Sequence, residues 1–192
     1  MVKAVICHEG NAHKTNDNQL LTLLLEKLNL DLACVKFVGM GTKSNFFKKD
    51  HDNYRELLLD IEREAVEKVL FVIDADSEEN DHTYGGYENT EKELKKVIKD
   101  LNLESYSDIF ITCDPSNQCG YLESLILSTI PSEKKECIET FLDCSDFKSK
   151  DNHKAILNQI YKTAYPNAPF DFAHENFSEL KTKLQNLFEG NE

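Results

Sequence analysis

One segment constrains the fold of this chain more than any other: an unbroken apolar run, Val69 to Ile73, that ends on Asp74 and Asp76. Five consecutive apolar residues are typical of a parallel β-strand covered by helices on both faces. If the strand stays extended at its end, residues i and i+2 point to one side. The two carboxylates would then converge as ligands for Mg²⁺ or Mn²⁺, which prefer clustered oxygens. The alternative that stays open is that Asp74 caps a turn while Asp76 is solvated.

Strands and amphipathic helices alternate along the first 130 residues or so. The apolar periodicity predicts strands at residues 2–7, 33–38, 69–73 and 109–112, with helical patterns between them. This alternation is typical of an α/β fold, with a mostly parallel sheet and helices on both faces in a Rossmann-like three-layer arrangement. We expect one domain over residues 1–192, in which residues 132–192 form a helical C-terminal extension.

The net charge of -13 argues against a protein that coats nucleic acid through a basic surface. It leaves open nucleic-acid chemistry in a cleft where metal ions supply positive charge. No apolar stretch approaches the roughly 20 residues of a membrane span, and the six cysteines lack zinc-ribbon spacing. We therefore expect a cytoplasmic protein with reduced thiols and no membrane partner.

A third carboxylate, Glu9, follows the first strand as Asp74 follows the third. The carboxyl ends of parallel strands share one edge of the sheet, where open α/β folds bind ligands. If the two strands are neighbours, Glu9 meets Asp74 and Asp76. Two such charges about 4 Å apart repel by about 4 kcal/mol at an effective dielectric constant of about 20. The cluster therefore needs a cation or a raised pKa.

Other candidate residues lie in the turns expected at this edge, and Asp17 is available to cap the first helix. Glycines permit tight turns and close approach of a ligand, and a lysine or histidine beside them can contact phosphate. The candidate ligand-binding residues are Gly10, His13, Gly39, Gly41, Lys43 and Gly120. Among the other histidines, His82 follows the aspartate pair most closely.

Two motifs, Glu9-Gly10 after the first strand and Asp74-Ala75-Asp76 after an apolar strand, resemble the Toprim domain of topoisomerases, bacterial primases and overcoming-lysogenisation-defect-type nucleases. More specifically, the chain resembles small stand-alone Toprim-like proteins of bacteria over roughly residues 2–160. Those proteins carry further motifs, matched here by Gly120, Leu122, Glu123, Asp151 and Lys154. The segment Asn11 to Lys14 departs from the acidic or basic run that usually follows Glu-Gly.

The resemblance implies a Mg²⁺-dependent or Mn²⁺-dependent protein, a nuclease or a phosphotransferase, that acts on a nucleotide or a short nucleic acid. Glu9 and Lys154 would be catalytic, with Glu9 as general acid/base or metal ligand. Asp74 and Asp76 would hold the metal ion, and Glu123 a second ion. Paired metals stabilise the attacking and leaving oxygens of phosphoryl transfer.

Two other classes of function stay open: a non-catalytic Toprim-like module that binds a nucleotide or a metal, and a sugar-nucleotide transferase with an Asp-x-Asp metal site. A haloacid-dehalogenase-type phosphatase fits less well, because its aspartate pair follows the first strand and Glu78 stands where Thr or Val is expected. His8 and His13 are five residues apart after a strand, which excludes the helical zinc-protease motif.

Overall fold

The computed structural model describes residues 3–11, 15–79, 81–144 and 170–189. Within these ranges, parallel strands form one sheet in the order β2-β1-β3-β4. The strands are β1 (Ala4–His8), β2 (Val35–Gly39), β3 (Lys68–Asp74) and β4 (Ser107–Thr112). The predicted parallel α/β architecture is confirmed. The β2 strand begins two residues later than expected, because Leu32–Cys34 form a 3₁₀ turn.

Helices follow each strand in the described ranges, and none of them has the length and apolar character needed to cross a membrane. A second 3₁₀ turn, Glu175–Phe177, precedes the last helix. The helices are α1 (Asn16–Lys27), α2 (Lys43–Phe46), α3 (Asp52–Glu62), α4 (Tyr87–Asp100), α5 (Leu122–Leu127), α6 (Ser132–Cys144) and α7 (Ser178–Asn186). The helix expected at residues 151–161 lies outside the described residues.

Successive residues of the central strands enter two separate hydrophobic clusters, as the pleat of a strand requires. On β1, Ala4 and Ile6 join one cluster, whereas Val5 and Cys7 join the other. The first cluster also holds buried residues of α1, α5, α6 and α7, and the second holds residues of α2, α3 and α4. Helices therefore cover both faces of the sheet, and β1 and β3 are its inner strands.

The C-terminal segment takes part in the first of these clusters. Phe177, Leu180 and Leu184 are fully buried there. Lys183 also forms an ion pair with Asp108 of β4 at 2.8 Å. The described part of the extension, α7 in particular, therefore packs against the sheet as part of one helical layer.

Replacing Leu70, at the centre of β3, should destabilise the whole domain. Leu70 is 0% exposed, so Leu70→Ala should lower the free energy of unfolding by about 2–5 kcal/mol through lost transfer energy and an unfilled cavity. Urea denaturation measures this change. Leu59→Ala is the control: Leu59 lies on α3 and is 47% exposed, so its loss should cost less than about 1 kcal/mol. Equal costs would contradict the packing described for β3.

Candidate functional site

The turns that follow the strands are tied together in pairs at the carboxyl edge of the sheet. After β1 and β2, Gly10 and Gly41 exchange two backbone hydrogen bonds of 2.6 and 2.9 Å. After β3 and β4, Asp76 and Gly120 exchange two more, of 2.7 and 3.1 Å. Backbone pairing therefore continues beyond the strands and fixes the four turns that carry the candidate residues.

Three glycines of these turns have positive φ values, which side chains rarely allow. Gly120 has φ of +98°, and a Cβ atom there would lie 2.1 Å from the hydroxyl oxygen of Ser124. Gly10 and Gly41 also have positive φ values, of 76° and 81°. Their N–H groups donate to each other's carbonyl oxygens, and Gly39 accepts from the side chain of Asn53 at 3.0 Å. These contacts are structural, and the ligand-binding role of the glycines stays a prediction.

Asp74 is the last residue of β3, and its carboxylate is held from two sides. Its Oδ1 accepts from the hydroxyl group of Thr112 and, at 3.1 Å, from the backbone N–H of Leu122 at the start of α5. Burial raises the pKa of Asp74 well above its ordinary range, and the negative charges of Glu9, Asp17 and Asp76 raise it further. The hydrogen bond from Thr112 partly opposes this shift. Asp74 is therefore both fixed in position and costly to ionise.

Glu9 extends the contact between β1 and β3 beyond their last backbone pair. Its Oε1 accepts the backbone N–H of Asp74 at 3.1 Å. Burial raises the pKa of Glu9 from 4.5 to about 7, against the lowering effect of that N–H, and the charge of Asp76 adds to the rise. Lys43 lowers the pKa of Glu9. Glu9 therefore contacts Asp74 through its backbone N–H, and Asp76 acts on Glu9 through its charge.

Asp76 reaches the cluster by a different route from the one expected. The extended path assumed for the i, i+2 pair is wrong, because β3 ends at Asp74 and Asp76 has a left-handed φ of 56°. The backbone turns there to pair with Gly120. The carboxylate still influences its neighbours, since its charge raises the pKa of both Glu9 and Asp74.

Lys43, the first residue of α2, supplies positive charge beside these carboxylates. Its Nζ atom lies 3.3 Å from Oδ2 of Asp76 and donates to the carbonyl oxygen of Ala75 at 2.6 Å. Lys43 is only 6% exposed. The ammonium group is therefore a buried neighbour of the acidic cluster, which no spacing or periodicity in the sequence indicates.

The carboxylate of Glu123 contacts α1 instead of a strand end. Glu123 is buried, and its Oε1 accepts from the side-chain amide of Asn16 at 3.1 Å. Its neighbour Leu122 is the residue whose N–H holds Asp74. Glu123 thus lies one residue along the chain from the Asp74 contact, and its role in binding a second ion stays a prediction.

Three of the sequence candidates, His13, Asp151 and Lys154, lie outside the described residues. His82 is exposed.

The sequence-based predictions missed or misjudged two neighbours of the acidic cluster. Thr112 lies opposite Asp74 in the β3–β4 register. A threonine at the end of a predicted strand was the sequence feature that could have indicated a hydrogen-bond donor to Asp74. Asp17 does not cap α1, because Thr15 Oγ1 accepts the N–H of Asn18 at 3.2 Å; its charge instead acts on Glu9 and Asp74.

Within the described ranges, no group of three or more His, Cys, Asp and Glu side chains has the spacing of a metal site. The oxygens of Glu9 and Asp74 are of the type that Mg²⁺ prefers, and Asp76 is paired with Lys43. Comparisons with protein-family models, with curated proteins and with solved structures find no match for this chain.

Replacing Glu9 by glutamine should stabilise the metal-free protein at high pH. The folded-state pKa of Glu9, about 7, exceeds its ordinary value of 4.5. The stability that protonated Glu9 contributes is therefore fully present below pH 4.5, and it is lost as the pH rises through 7. Glu9→Gln keeps an oxygen for the N–H of Asp74 and removes the charge. We expect a gain of about 1–3 kcal/mol at pH 8 and none near pH 4, by urea denaturation in EDTA.

The matched control is Glu67→Gln, because Glu67 has a half-exposed side chain in an ion pair with Lys3. This variant should show no gain in stability that appears between pH 4 and pH 8. A loss of stability in Glu9→Gln at pH 8 would mean that the charge-assisted bond from Asp74 outweighs repulsion. Glu9 would then be a structural acceptor at the end of β3.

Proposed function

We propose that this protein binds Mg²⁺ or Mn²⁺ through Asp74 and Asp76, beside Glu9, and carries out phosphoryl transfer or phosphodiester cleavage on a nucleotide or a short nucleic acid. The observation that carries the proposal is the hydrogen bond from the backbone N–H of Asp74 to the carboxylate of Glu9, which brings together two acidic residues whose pKa values are both raised. A cation favours the ionised form of both groups. Divalent metal binding would thus remove the unfavourable charge of the cluster.

The carboxylate of Asp74 is suited to hold such an ion. Asp74 is fixed through Oδ1 alone, and no side chain or N–H in the described ranges donates to its Oδ2. That oxygen would serve as a metal ligand without loss of the bonds from Thr112 and Leu122. The bound ion would supply Lewis-acid polarisation of a phosphoryl oxygen and lower the pKa of a water molecule.

The proposed role of Glu9 differs from that of the aspartates. A general acid/base works best when its pKa lies near the operating pH, and burial places the pKa of Glu9 at about 7. Glu9 would therefore transfer a proton at neutral pH, whereas Asp74 and Asp76 would bind the ion. Lys154, by resemblance to Toprim-like proteins, would be the second catalytic residue.

The overall charge favours a small substrate. A net charge of -13 opposes the approach of a long polyanion, and phosphate contacts dominate the affinity of proteins for duplex DNA. A nucleotide or a short single strand carries fewer charges and brings its own divalent counter-ion. This chemistry agrees with the Toprim-like motifs, which imply a nuclease or a phosphotransferase.

Mn²⁺ should raise the melting temperature of the wild-type protein at pH 7.5. A ligand that binds only the folded form adds about 2.7 kcal/mol at a hundredfold excess over its Kd. Asp74→Asn and Asp76→Asn should each lose most of this rise, because each removes a charged ligand. Asp52→Asn should keep it, since the side chain of Asp52 is 87% exposed and pairs only with Arg55 among described residues. Scanning calorimetry measures all four proteins.

A rise in melting temperature that survives in the Asp74→Asn, Asp76→Asn double variant would contradict the metal assignment.

A turnover assay then separates catalysis from binding. The substrates are bis(p-nitrophenyl) phosphate, ATP and a short single-stranded oligonucleotide, each with Mn²⁺. Hydrolysis of one of them that falls at least a hundredfold in Glu9→Gln supports the enzyme, whereas stabilisation without turnover of any indicates a binding module.

A further inference from the structure

Lys43 and Asp76 form an ion pair, with the lysine buried and the aspartate partly exposed, at the place where the proposed metal ion would bind. The Lys43 side chain is 7% exposed and that of Asp76 is 27% exposed. The ammonium group has a second described partner, the carbonyl oxygen of Ala75 at 2.6 Å. Lys43 belongs to α2, whereas Ala75 and Asp76 follow β3, so the contact joins two turns of the carboxyl edge.

Burial of an ammonium group is unfavourable unless its charge and its N–H groups are compensated. Asp76 and the Ala75 carbonyl supply that compensation. In return, the ammonium offsets part of the negative charge that Glu9, Asp74 and Asp76 place together. In this metal-free arrangement Lys43 therefore does what a bound cation would do.

Resting on the proposed function, we propose that Lys43 is an internal counter-ion that competes with the divalent cation for the carboxylate of Asp76. The metal ion and the ammonium group repel each other because both are positively charged, so they cannot both bind closely to the same carboxylate oxygen. Metal binding would therefore release Nζ from Asp76. An ammonium group has three N–H donors, so Lys43 would keep its bond to Ala75 and remain beside the site, where a phosphate oxygen could accept from it.

If this exchange occurs, Lys43 weakens metal binding, so its removal should strengthen the binding. Removal of a metal ligand would weaken metal binding, and removal of a purely structural residue would weaken it or leave it unchanged. Removal of the ammonium should thus tighten Mn²⁺ binding at least tenfold. Lys43→Gln is the main variant, because its amide can still donate to Ala75. Lys43→Met serves as a second neutral variant, and Lys43→Arg keeps the charge and should stay within threefold of wild type.

The experiment is titration of metal-free protein with Mn²⁺, followed by calorimetry and by the electron paramagnetic resonance signal of free Mn²⁺. The control is Lys48→Met, which removes the same charge from an exposed lysine that donates to Asn45 at 2.9 Å, five residues from Lys43. Its affinity for Mn²⁺ should stay within threefold of wild type. That result separates a local competition from the change in net charge.

The outcomes distinguish this inference from the proposed function on which it rests. Tighter binding in Lys43→Gln and Lys43→Met, with no such gain in Lys48→Met, supports the counter-ion; so does binding by the Lys43 variants alone. If wild type binds Mn²⁺ and both neutral variants bind it equally or more weakly, the counter-ion is overturned and the metal site stands. If neither wild type nor any Lys43 variant binds Mn²⁺, the metal site and the counter-ion both fail.

Discussion

The contact on which the rest of the site depends is the hydrogen bond from the backbone N–H of Asp74 to the carboxylate of Glu9. It brings two acidic groups together where burial already disfavours their ionised forms. Such an arrangement persists only because the surrounding structure holds it: β1 and β3 are adjacent in the sheet, and Thr112 and Leu122 fix Asp74. The buried pair of Glu9 and Asp74 therefore lowers the stability of the folded protein when both groups are ionised, which is common at sites that bind ligands.

The fold supports the cluster by tying its turns together. Backbone pairs join Gly10 to Gly41 and Asp76 to Gly120, so the turns after all four strands are held in two pairs at this edge. The hydrophobic clusters on the two faces of the sheet also support this edge. Ile73, next to Asp74 in the sequence, is buried in one cluster, and Leu122, next to Glu123, is buried in the other. Rigidity matters for the proposed chemistry, since a metal site needs oxygens that are already in place.

The sequence predicts the strands well, because they follow from short-range patterns, whereas the contact of Glu9 with Asp74 also required that β1 and β3 be neighbours. The Val69 to Ile73 run marks an inner strand through its composition alone, and Glu9 and Asp74 follow strands that prove to be neighbours. The position of Asp76 could not be predicted in the same way, because a left-handed residue at that point depends on the bridge to Gly120, 44 residues later. The same holds for Lys43, whose burial depends on packing of α2 against the turn after β3.

The central claim is that Glu9 titrates near neutrality and that a divalent cation lowers the pKa of this carboxyl group. The most direct measurement is the side-chain carboxyl ¹³C chemical shift of Glu9 as a function of pH, assigned by comparison with Glu9→Gln, without and with Mg²⁺. The account predicts a midpoint near pH 7 for the metal-free protein and a lower midpoint when Mg²⁺ is present. A metal-free midpoint near 4.5 that does not respond to Mg²⁺ would contradict it.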